Sequence, residues 1–149
     1  MCPFMATTAN LGPQTVCLLH RDYNNLSFGL CGIIALGDFD HTKGGHLYLK
    51  EANVVLEVGR GDTVFIPSAC ITHGNLPISP SENRFSITLY TAGQLFHWVR
   101  NGMRPVNELP VEAQKEDRAQ GPSRWAEGWK MHTTVADLRH CDIVEDLVV

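Results

Sequence analysis

From Arg84 to Thr91 polar and apolar residues alternate without a break. Arg84, Ser86, Thr88 and Tyr90 have one parity, and Phe85, Ile87 and Leu89 the other. Residues two apart on an extended chain share a face, so this run predicts a β-strand with one polar side. Shorter apolar segments precede it at close spacing. Thr15 to His20, Leu26 to Leu36, His46 to Glu51, Val54 to Val58, Thr63 to Ile66 and Cys70 to Leu76 all read as strands. Between them lie turn residues, including the polar stretch 37–45, Gly59-Arg60-Gly61-Asp62 and the connection 77–83. Residues 1–13, with Pro3, Gly12 and Pro13, read as irregular. Many short strands broken by turns predict a mainly β fold, two sheets forming a double-stranded β-helix or jelly roll.

After Gly93 the period changes. Gln94 to Asn101, Glu108 to Ala119 and Ser123 to Met131 read as helices, the last with Ser123 as N-cap and with Trp125 and Trp129 four apart. Thr134 and Asp137 have the spacing that opens one further short helix. These C-terminal helices are expected to pack on one sheet, with Trp98, Trp125 and Trp129 as the packing residues. The whole chain, 149 residues, reads as a single domain, barrel about 15–92 and helical region about 94–140.

With 44% hydrophobic and 19% charged residues the composition is globular. The formal charge of −4 gives no overall electrostatic footprint for nucleic acid, so such a partner would be held by a local patch. Five cysteines, Cys2, Cys17, Cys31, Cys70 and Cys141, are scattered without a Cys-x-x-Cys pair, which argues against a disulfide framework or a zinc site. Cys17 and Cys31 lie in apolar runs and read as small buried hydrophobes. A reducing, intracellular setting is expected. No apolar run reaches the length that spans a membrane.

Three residues carry the chemistry. His20 and Asp22 form a His-x-Asp pair at the end of the first predicted strand, and His73 returns on a later one. Two imidazoles and one carboxylate on a shared face leave open positions on an ion, the arrangement that suits non-haem Fe(II) and oxygen. Taken singly, His20 reads as a partly buried strand-end histidine and Arg84 as a surface charge; the set carries the metal reading. His41 and His46 are assigned no role. Lys115, Arg118, Arg124 and Lys130 are interleaved with acidic residues and read as a solvated face.

His20-x-Asp22, His73 and Arg84-x-Ser86 resemble the signature of the Fe(II)/2-oxoglutarate dioxygenases. The details resemble the TET/JBP nucleic-acid-modifying branch, including its fungal members. Asn25 stands five positions after His20, where that family has a base-reading Asn, and Arg84-Phe-Ser86-Ile-Thr-Leu-Tyr90 is similar to the family's last core strand. The resemblance covers roughly residues 15–92. It implies Fe(II) on His20, Asp22 and His73, 2-oxoglutarate held by Arg84 and Ser86, and a flipped base stacked on Tyr90 with Asn25 at its edge. Oxygen and DNA or RNA are the implied partners, and the nucleus the implied place. Where the family has a base-reading His two residues after the Tyr, this chain has Ala92. The resemblance therefore implies a modified or thymine-like base without singling out 5-methylcytosine. Its upstream segment has no counterpart in residues 1–14, so an N-terminally shortened copy is expected.

Other function classes stay open from the residues. The same chemistry could hydroxylate a protein side chain or a small molecule. A cupin-like metal domain without the cosubstrate, or an inactive fragment serving as an interaction module, would use the same barrel.

Overall fold

The structure is a computed structural model, and it describes residues 3–134 and 136–137. Among the described residues seven strands form two antiparallel sheets. They are β1 (Ala6–Asn10), β2 (Cys31–Asp38), β3 (Leu47–Leu49), β4 (Val54–Leu56), β5 (Thr63–Ile66), β6 (His73–Asn75) and β7 (Asn83–Tyr90). One sheet has the order β1-β7-β2-β5 and the other β4-β3-β6. The architecture is thus mainly β with helices after the last strand.

The long alternating run is the centre of the larger sheet. Strand β7 pairs with β2 from Gly32↔Leu89 to Asp38↔Asn83, and on its other edge with β1 from Ala6↔Tyr90 to Asn10↔Ser86. Strand β1 falls in the stretch expected to be irregular. Its Ala-Thr-Thr-Ala sequence has no apolar alternation to announce it, and its extended form comes from pairing with β7. A cluster of Cys31, Ala35, Leu47, Val58 and Ile66, with Leu49, Leu56 and Val64 against it, draws on both sheets and forms the core.

Strands β3 and β4 are shorter than the His46 to Glu51 and Val54 to Val58 read for them, and three other expected strands change further. The segment 26–30 turns instead, with the Gly29 N–H donating to the Leu26 carbonyl, and β2 begins at Cys31. Before β6, the Pro67 carbonyl accepts N–H groups from Cys70 and Ile71, so a turn takes the first part of that run. Thr15 to His20 is no strand but a crossing segment. Its Thr15 is bonded to Arg84 in β7, while Cys17 and His20 are bonded to Asn75 and His73 in β6. A chain that passes from one sheet to the other cannot keep a ladder with either.

The helices are α1 (Gly93–Arg100), α2 (Val111–Ala119) and α3 (Gly121–Lys130), with a single 3-10 turn at Val106–Glu108. Helix α3 starts two residues before Ser123, because Pro122, with its preset φ, fits the first turn; Gln120 is the N-cap and no side chain caps it. The expectation that the helices cover one sheet is corrected. Phe96 of α1 meets Phe28 edge-on at 6.3 Å, and Gly128 of α3 lies so close to Phe28 that a Cβ there would come within 2.8 Å of the ring. Helices α1 and α3 meet the turn around Phe28, and α2 packs on α3. Trp125 and Trp129 stack on each other at 5.7 Å, 66% and 60% exposed, and so do not pack onto a sheet. Thr134 and Asp137 exchange the expected capping hydrogen bonds; the residues expected to continue that helix past Asp137 are outside the described residues, as are Cys2, His140 and Cys141. Among the described residues no helix is long and apolar enough to cross a membrane. Cys17, Cys31 and Cys70 are free thiols, and Cys31 is the buried one.

Candidate metal centre

The crossing segment is held by a side chain that mimics a strand. Asn75 accepts the Cys17 N–H on Oδ1 at 2.7 Å and donates through Nδ2 to the Thr15 carbonyl at 3.1 Å. Gly74 lets it approach, since a Cβ there would lie 2.8 Å from the Cys17 carbonyl oxygen. His20 then pairs with His73, each N–H donating to the other's carbonyl at 3.0 and 2.9 Å. The two imidazoles come to 4.5 Å between ring centroids, and Asp22 comes directly after, its N–H on the Ser68 carbonyl.

His20, Asp22 and His73 each offer one ligand atom, all within 4.8 Å of one another. The tautomers follow from the hydrogen bonds. His20 Nδ1 lies 2.7 Å from the Leu18 carbonyl and His73 Nδ1 lies 3.0 Å from the Ile71 carbonyl. A carbonyl only accepts, so both Nδ1 atoms carry the proton and both Nε2 atoms keep a lone pair for a cation. His20 Nε2 stands 3.4 Å from Asp22 Oδ1. The other carboxylate oxygen, Oδ2, accepts from Asn25 Nδ2 at 3.1 Å, and the same nitrogen donates to Ser68 Oγ at 3.1 Å. A carboxylate requires the NH₂ side of the amide, which fixes the orientation of Asn25. Both its hydrogens are thereby committed.

Arg84 enters from β7, and it is 3% exposed. Its backbone is tied to Pro13 and Thr15, its Nη1 reaches the Thr15 carbonyl at 3.4 Å, and its guanidinium carbon lies 5.8 Å above the Phe39 ring. Nε is buried without a hydrogen-bond partner, and among the described residues no carboxylate pairs with this cation. Burial lowers its pKa. A desolvated guanidinium with no carboxylate partner and a bare Nε is a costly feature that an incoming anion would relieve. Ser86, two residues on, is buried beside it and accepts from Asn10 Nδ2 at 3.0 Å.

All seven residues singled out from the sequence, His20, Asp22, Asn25, His73, Arg84, Ser86 and Tyr90, line one cavity of about 500 Å³. The polar parity of β7 therefore faces the cavity, with Thr88 between Ser86 and Tyr90. Tyr90 Oη lies 3.3 Å from Thr8 Oγ1. Thr8 and Asn10 escape a reading of the sequence because their strand does, and Asn75 because nothing in the sequence marks its partner segment. The donor set, two imidazole nitrogens and a carboxylate with a buried cation on the same cavity, fits Fe(II) and a dicarboxylate.

No protein-family model matches the chain and no curated protein matches it. Among solved structures the chain is similar to NgTET1 in complex with 5mC DNA, at 23% sequence identity and a TM-score of 0.48. The match covers 58% of this chain and 33% of that one, so this chain spans about a third of the length of its match.

Proposed function

We propose that the protein is an Fe(II)- and 2-oxoglutarate-dependent dioxygenase that oxidises the methyl group of a modified or thymine-like base in nucleic acid. The reading treats the two sheets as the walls of a double-stranded β-helix and the chain as one catalytic domain. The observation that carries it is the buried, unpaired Arg84 on the same cavity as the His20, Asp22 and His73 ligand atoms. A metal domain without a cosubstrate would leave that cation without an anion. When bound, Fe(II) and 2-oxoglutarate supply an oxidation in which oxygen converts the cosubstrate to succinate and carbon dioxide while the substrate is hydroxylated.

The residues of this chain do the positioning. His20 and His73 present Nε2 because backbone carbonyls hold their other nitrogens. Asn25 and Ser68 orient Asp22. Arg84 would hold a carboxylate of the cosubstrate and Ser86 would add a hydroxyl beside it. A base inside a duplex cannot enter such a cavity, so it would be flipped and stacked on Tyr90. With both hydrogens of its amide committed, Asn25 has only an acceptor, Oδ1, to offer the base edge. That suits an amino or imino N–H. DNA or RNA and oxygen are the corresponding partners, and an intracellular, nuclear place belongs to the same proposal.

The test is an anaerobic titration with Fe(II) and 2-oxoglutarate, read as a visible charge-transfer band. The band should appear in the wild type, vanish in His73→Ala and need far more cosubstrate in Arg84→Ala. Succinate release should then rise with an oligonucleotide carrying the preferred base. No band from the folded protein would overturn the dioxygenase reading; a band with no response to any oligonucleotide would overturn the nucleic-acid substrate alone.

A further inference from the structure

The three ligand residues lie on two stretches of chain, 20–22 and 73, more than fifty positions apart. An ion needs them at a set distance. The backbone pair between His20 and His73 joins the stretches at one point, and a second tie lies beside it. Glu51, after β3, accepts the Thr72 N–H on Oε2 at 2.7 Å and the Thr72 hydroxyl on Oε1 at 2.7 Å. The same Oε1 receives Nη2 of Arg21, and Arg21 Nε donates to Thr72 Oγ1 at 3.0 Å. The ring is closed, because the Thr72 hydroxyl donates to Glu51 and accepts from Arg21. Arg21 sits between His20 and Asp22, and Thr72 immediately precedes His73.

We infer that Glu51 is a positioning residue for the metal centre, clamping the stretch that bears His20 and Asp22 against His73 through Arg21 and Thr72. This rests on the metal reading of those three residues. The Arg21 and Glu51 side chains are 36% and 40% exposed, and an ion pair so placed contributes little to stability. Its effect is on spacing. Two bonds to Thr72 and one to Arg21 from a single carboxylate hold the neighbours of all three ligands in one register, which the short β6 strand could not do alone.

The experiment is a Co(II) titration of the full chain followed by its visible absorption, together with thermal melting of the metal-free protein. Glu51→Ala should weaken Co(II) binding about tenfold and alter the cobalt band, with little change in metal-free melting. Thr72→Val keeps the side-chain shape and the backbone N–H but removes the hydroxyl, and should shift affinity the same way. Thr72→Ser should bind as the wild type does. Should Glu51→Ala melt early, Thr72→Val decides. Wild-type affinity and band in Glu51→Ala or Thr72→Val, with His73→Ala unable to bind, would overturn the clamp and leave the metal site standing. A wild type that does not bind Co(II) would overturn both.

Discussion

Arg84 shows how function and stability pull apart at one residue. A guanidinium that is 3% exposed and lacks a partner for Nε pays desolvation without return until an anion arrives. Replacing it with an apolar side chain of similar length should therefore act in opposite directions on the two properties. Arg84→Met is expected to raise the melting temperature of the cosubstrate-free protein and to raise the 2-oxoglutarate requirement by about thirtyfold, from a lost contact of ~2 kcal/mol. Calorimetry and turnover against cosubstrate concentration check the pair of effects. At the ligands the expectation is simpler. Asp22→Ala should abolish Fe(II) binding, because two neutral imidazoles leave the cation without its charged ligand, and anaerobic calorimetric titration reads this directly. Asn25→Ala removes the donor to Asp22 Oδ2 and should weaken metal affinity by roughly ten- to a hundredfold, as losses next to a metal ligand typically do. Unchanged affinity would confine Asn25 to the substrate side of the cavity.

Among the elements, the crossing segment and β6 decide whether the site exists. Gly74 is the contact point, with a Cβ built there meeting Cys17 O at 2.8 Å and Leu19 N at 3.1 Å. Both are backbone atoms and cannot rotate away. Gly74→Ala should cost ~1–3 kcal/mol and should move the segment that ends in His20, so metal affinity is expected to fall along with denaturant stability. Gly37 has a comparable part in the larger sheet. Its φ is +114°, and a Cβ added there would lie 2.2 Å from the Asn83 carbonyl oxygen, so there is no room for a side chain where β2 passes the start of β7. The helices are the weaker elements. Among their described residues only Gly128 is buried, and Phe28 is touched by Phe96 of α1 and by Gly128 of α3.

For the whole molecule, the core between the sheets has a titration of its own. Burial pushes the Cys31 thiol from its ordinary 9.0 up to about 11. The folded state then holds its proton where the unfolded chain has released it. That part of the stability is fully present below pH 9 and is lost as the pH rises towards about 11. Cys31→Ala should flatten this alkaline fall in urea-melt midpoints relative to the wild type. Much of the candidate site was legible along the chain because it depends on local pattern: the parity of β7 alone puts Arg84, Ser86, Thr88 and Tyr90 on one face, and His20-x-Asp22 with His73 marks three residues whose possible ligand atoms the fold brings within 4.8 Å. The bounds of β5 were read without change, since Thr63 to Ile66 is stopped by Pro67. What local pattern could not carry was every feature made by a distant partner. Strand β1 is extended because β7 pairs with it, residues 15–20 cross between sheets because Asn75 and His73 satisfy their backbone, and Glu51 meets Arg21 and Thr72 only once β3 and β6 lie side by side. Periodicity records which residues share a face; tertiary pairing alone decides which faces meet, because a backbone hydrogen bond to a distant residue joins main-chain groups that every residue but proline carries alike and so leaves no mark on the side-chain sequence.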